Sequence, residues 1–82
     1  MKSERKLNDL NEGEKGIIVS VMPSDISERL KELGFTAGTM VECRCRSFSG
    51  DPSAYSVKGT VIALRKNDAE SVVVMRNYLK SF

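Results

Sequence analysis

Between residues 40 and 46 the chain alternates strictly. Val41, Cys43 and Cys45 fall between Glu42, Arg44 and Arg46, the period-2 pattern of a strand with one apolar and one charged face. Upstream, Gly13 and Gly16 bracket a turn, after which Ile17, Val19 and Val21 alternate with Ile18, Ser20 and Met22 in a first strand. Pro23 and Ser24 end it. Ser49–Ser53 reads as a loop in which Pro52 pushes Asp51 toward an extended conformation. Tyr55 and Val57 mark a short strand, Gly59 a turn, and Thr60–Leu64 a further strand that is apolar on both faces. Arg65–Glu70 is polar and short enough for one tight helical turn, and Val72–Met75 closes the pattern as a last strand.

One segment follows a different period. Ile26, Leu30 and Leu33 fall at i, i+4 and i+7, which places them on one face of a helix. Asp25 and Glu28 have the spacing of a capping box at its start. Gly34 stands where a left-handed residue ends a helix, and Phe35 follows at the position that folds back on Leu30. The sum is a mainly β chain of about five strands with one short helix inserted between the first and second. That pattern predicts a small, strongly bent, SH3-like β-barrel. The glycines at 13, 16, 38, 50 and 59 supply its bends. Residues 1–82 make a single domain, with 1–6 as a solvated, flexible lead-in and 76–82 as a C-terminal tail.

Charge narrows the partners. Thirteen basic and eleven acidic residues leave a net charge of +2, and they are scattered rather than gathered into a stripe. Only pairs such as Arg5-Lys6 and Arg65-Lys66 occur, which argues against nucleic acid. The charged start Lys2–Lys6 runs into Leu7–Leu10 with no apolar core of a signal peptide, and the longest apolar runs, Val61–Leu64 and Val72–Met75, are far too short to span a bilayer. A cytoplasmic chain is expected, with no membrane insertion of its own, although its partner can sit in a membrane.

Candidate chemistry is sparse. The chain has no histidine, which removes Ser–His and Cys–His nucleophiles, histidine bases and histidine metal ligands. The acidic residues show no conspicuous pairing within a loop, so neither catalytic residues nor a cofactor site are expected. Cys43 and Cys45 are the only cysteines; two positions apart in a strand, their β-carbons lie roughly 7 Å apart, against the roughly 4 Å of a disulfide. Read as a thiolate pair they would still lack further ligands for a soft metal, and their phase with Val41 favours two core residues on one face. Asp51 and Glu42 are too few oxygens for a hard cation. Arg29 either meets a partner or lays its stem on the core with its head in water. Tyr78, Leu79 and Phe82 either pack back on the barrel or dock another protein.

Three segments, Leu7–Gly16, Arg29–Gly38 and Gly50–Arg65, with Asp68-Ala69 before Val72–Val74, resemble the ferrous iron transport protein A (FeoA) family in order and spacing. The resemblance runs from about Leu7 to Met75. It implies an SH3-like barrel, similar also to the C-terminal domain of iron-dependent repressors. The implied role is that of a small non-catalytic accessory protein of ferrous iron uptake. Its partner would be the cytoplasmic region of the membrane transporter FeoB, which carries a nucleotide-binding domain. The family is associated with transition-metal binding, but no metal-ligand residue carries over onto this chain. The surface expected to meet the partner is the exposed side of the helix and the loop around Asp51, with Arg29, Asp51, Pro52 and Tyr55 as contacts. Two alternatives stay open: a metal-responsive sensor using Cys43, Cys45 or carboxylates, and an SH3-like ligand- or peptide-binding module unrelated to iron.

Overall fold

The computed structural model describes residues 4–49 and 51–76. In chain order the elements are β1 (Glu4–Lys6), a 3-10 turn (Leu7–Asp9), β2 (Lys15–Val21), α1 (Ser27–Leu33), β3 (Met40–Arg46), β4 (Ser53–Val57), β5 (Thr60–Leu64), α2 (Lys66–Ala69) and β6 (Val72–Arg76). The strands form one antiparallel sheet in the order β1-β6-β2-β3-β4-β5. Its curvature gives the SH3-like shape, but β1 and β5 remain edges, so hydrogen bonds do not close the barrel.

The sheet has six strands where the hydrophobic pattern shows five. Glu4–Lys6, expected as a solvated lead-in, pairs through its backbone with β6, Glu4 opposite Met75 and Lys6 opposite Val73. Three charged residues carry no apolar signal, and a strand at a sheet edge needs none, because its side chains can stay in water while the backbone pairs. Arg5 adds a 3.6 Å ion pair to Glu14. The helix is accordingly inserted between the second and third strands. The C-terminal tail expected to pack on the barrel or dock a partner lies outside the described residues.

The core lies inside the curve of the sheet. β4 alternates perfectly, with Ser53, Tyr55 and Val57 buried, and β6 contributes Val72 and Val74. They meet Leu7 and Leu10 from the chain after β1, Ile18, Val41 and Cys43, and Leu64 and Ala69 from the far end. Alternation is broken twice. In β2 the pairing to β6 shifts between Ile18 and Ser20, and in β3 the pairing to β4 shifts between Cys43 and Cys45. The second shift leaves Arg44 as the extra residue of a bulge, which turns the rest of the strand over.

Helix α1 is held at both ends by short-range bonds. The expected capping box of Asp25 and Glu28 does not form. The turn before the helix is held by Ser24 instead: its hydroxyl accepts the Ile26 N–H at 3.3 Å, and its carbonyl accepts the Ser27 hydroxyl at 3.1 Å. Glu28 turns to Lys31, 3.7 Å away. The C-terminus matches expectation. Gly34 adopts φ +114°, its N–H reaches the Lys31 carbonyl at 3.1 Å, and the Phe35 N–H reaches the Leu30 carbonyl at 3.0 Å. Leu30 and Phe35 are both fully buried by this fold-back.

Gly34 therefore controls the helix stop. A β-carbon there would meet the Lys58 Cδ at 3.3 Å and force an L-residue into a conformation it rarely adopts. Gly34→Ala is expected to lower stability by about 1–3 kcal/mol, a thermal midpoint drop of roughly 4–8 °C per kcal/mol for a domain of this size. Equilibrium urea unfolding checks it, and an unchanged midpoint would show that the helix stop does not depend on this geometry.

Candidate functional site

Helix α1 crosses beside β5, the last strand of the sheet, and a groove of about 580 Å³ runs between them. Ile26, Leu30 and Leu33 form the helical wall because their i, i+4, i+7 spacing points all three the same way. Ile62 and Leu64 form the opposite wall, as the inward positions of β5. Asp25, Arg29 and Asp68 complete the lining with charge. Asp68 comes from α2, which starts where the Asp51 Oδ1 accepts the Lys66 N–H at 2.9 Å. A carboxylate at that position satisfies a donor that the helix itself cannot. Asp51 and Pro52 are exposed, joined by a cis peptide, and lead into Ser53, which pairs with Leu64 of the groove wall.

Of the four residues expected to meet a partner, Arg29 lines the groove, and Asp51 and Pro52 stand exposed at its Leu64 end. Tyr55 does not belong with them. It is 1% exposed, in phase with Ser53 and Val57 on the inner face of β4, and serves as the largest fully buried side chain. Burial raises the pKa of its hydroxyl, with a hydrogen bond from Ser53 opposing the shift. Asp25, Asp68 and the β5 side of the groove escaped the sequence reading. Asp25 had been assigned to a cap, and nothing local marks β5 as an edge.

The two thiols part company. Cys43 is fully buried, but the bulge at Arg44 turns Cys45 to the surface, so the expectation of two cysteines on one buried face fails at the second. Burial pushes the Cys43 thiol up, opposed by the nearby charge of Arg46. Glu42 lies opposite Ser56 near the start of β3, whereas Asp51 follows the end of that strand, roughly 13 Å of strand rise away. Among the described residues no three cysteine or carboxylate side chains come together around a common point.

The fold has relatives of known architecture. A family model described as the FeoA domain matches residues 5–76. The chain belongs to the FeoA family. It is similar to FeoA from Stenotrophomonas maltophilia, an SH3-domain protein crystallised with zinc, at 32% identity and TM-score 0.79 over 85% of this chain and 88% of that one. FeoA from Chlorobium tepidum is 27% identical, with TM-score 0.81 over 88% and 70% of the two chains. A manganese-dependent transcriptional repressor shares the fold at 14% identity and TM-score 0.78, over 94% of this chain and 44% of that one. Among curated proteins no sequence matches. Membership links the chain to ferrous iron transport. Among its described residues no helix is long and apolar enough to cross a membrane.

Two outcomes follow for this chain. Exposure makes Cys45 the reactive thiol. Alkylation of the native protein followed by mass spectrometry is expected to label Cys45 alone, with Cys43 labelled only after unfolding; equal labelling would contradict the bulge. Cys43 and Tyr55 both have raised pKa values in the folded state, so the unfolded chain gives up these protons first. Their contribution is full below about pH 9 and is lost as pH rises. Urea midpoints are expected to fall from pH 9 toward pH 11, with a shallower fall in a Cys43→Val, Tyr55→Phe double variant.

Proposed function

We propose that this chain is a small, cytoplasmic, non-catalytic accessory protein of ferrous iron uptake that binds the cytoplasmic region of the transporter FeoB and modulates it. One observation carries the reading: a groove with apolar walls and a charged rim runs between α1 and β5, built on a rigid sheet and lined mostly by aliphatic side chains. A site of that kind recognises a surface rather than transforming a substrate. Arg29 in the groove, with Asp51 and Pro52 at its end, supplies polar positions that would fix orientation. The relative from Stenotrophomonas maltophilia has itself been considered as an activating factor for bacterial ferrous iron transport, which supports a modulating role. The metal-responsive alternative is weakened by the divergence of Cys43 and Cys45.

The test is direct binding between the purified full chain and the cytoplasmic region of FeoB, with and without nucleotide. Association is expected, and Arg29→Glu is expected to weaken it roughly tenfold, about 1.4 kcal/mol, while leaving the thermal midpoint unchanged. No association in either nucleotide condition would overturn the reading.

A further inference from the structure

The two edges of the sheet are chemically unlike. At β1 the edge reads Glu4-Arg5-Lys6, three charges in a row, which discourage a further strand. At β5 the edge reads Thr60-Val61-Ile62-Ala63-Leu64, without a charge or a proline. The hairpin joining β4 to β5 has a two-residue turn, Lys58-Gly59, both at positive φ, so Val57 and Thr60 close it as a hydrogen-bonded pair. Thr60, Ile62 and Leu64 thus turn their N–H and C=O groups to β4, and Val61 and Ala63 turn theirs to the open edge. The side chains of both are exposed, Val61 by 58%.

That open edge borders the groove along its β5 wall, Ala63 being part of the lining, and α1 is the wall opposite. A row of outward backbone groups beside an apolar wall is what an extended peptide needs: main chain to the edge, alternate side chains to the wall. Asp25 and Asp68 against Arg29 leave the lining one negative charge in excess, which favours a basic side chain in the incoming segment. We infer that the open edge of β5 takes an extended segment of a partner protein as a seventh strand. Its alternate apolar side chains pack on Ile26, Leu30 and Leu33, and a basic side chain faces Asp25 and Asp68. This deepens the docking reading above and rests on it for the partner's identity, while the mode of binding stands on the edge itself.

The probe is a synthetic eight-residue peptide with valine at alternate positions, threonine between them and lysine at each end, titrated into the full chain and followed by amide NMR. Shifts are expected at Val61 and Ala63 and along α1. Ala63→Pro removes one outward donor and no bond to β4, and is expected to bind at least tenfold more weakly. The same loss is expected, with the wild-type chain, for a peptide N-methylated at the residues facing the edge, and a weaker loss when glutamate replaces its lysines. Absence of shifts at millimolar peptide, undiminished binding of the N-methylated peptide, or a doubled mass showing a second copy on the edge would overturn the inference. If Ala63→Pro captures the cytoplasmic region of FeoB as well as the wild type, the edge is excluded and the transporter reading stands. If the peptide binds but the wild type captures no FeoB region, the transporter reading fails and the edge stands.

Discussion

A curved sheet that does not close must cover its open side with something apolar, and here a helix of seven residues does it. Leu30 and Phe35 form the plug, both fully buried, brought together because Gly34 turns the chain back at the last helical turn. Each contributes about 1.5–3 kcal/mol of burial, a large share of what a domain of this size can hold. The helix could not provide this alone, since an isolated helix so short is unstable in water. It exists because its apolar stripe is needed by the sheet. The residues at the margin of that stripe, Ile26 and Leu33, are only partly buried, and they become the wall of the groove. Fold and candidate site therefore share one set of side chains.

The bulge at Arg44 has consequences at both of its ends. It sends Cys45 outward, which dissolves the thiol pair suggested by spacing. It also swings Arg46 back toward the chain after β1, where its guanidinium donates to the Leu10 carbonyl at 2.6 Å and the Asn8 carbonyl at 3.1 Å. The Arg46 N–H meets Glu12 at 2.8 Å. Hydrogen bonds to a charged group contribute about 1.5–3 kcal/mol, so one extra residue ties the end of β3 to the chain that follows β1. An exposed thiol at Cys45 and an inward arginine at Arg46 are two results of a single extra residue.

How far the sequence was legible follows the same physics. Period 2 located β4 and a short apolar run located β6, each to within a residue or two, and the Gly34–Phe35 stop is legible from one glycine at the right offset. The burial of Tyr55 was present in its phase with Val57 but was outweighed by the general habit of tyrosine at interfaces. β1 was invisible because backbone pairing at an edge asks nothing of side chains. The bulge was invisible for a related reason: an extra residue in a strand leaves no mark in composition, and it alone decides which face Cys45 takes. Ser24 rather than Asp25 serves the start of the helix because its hydroxyl, two residues before Ile26, reaches that residue's N–H. The site was half legible. Arg29, Asp51 and Pro52 are surface residues in their expected places, but the groove joins elements distant in sequence, and only the strand order shows that β5 is an edge.

That edge also determines how occupancy of the groove would reach the rest of the domain. β5 has one strand neighbour, and its other side is supported across the groove by side chains alone, which makes it the less protected margin of the sheet. Any ligand that binds the folded groove and not the unfolded chain stabilises this margin in proportion to its occupancy. Because Leu64 leads directly into α2, and Asp51 ties α2 to the loop before β4, order at the edge is shared with that loop through bonded neighbours. A partner strand seated on β5 would therefore fix Asp51 and Pro52 as well, so the groove and the loop would act as one surface although neither the pattern nor the charge of the chain links them.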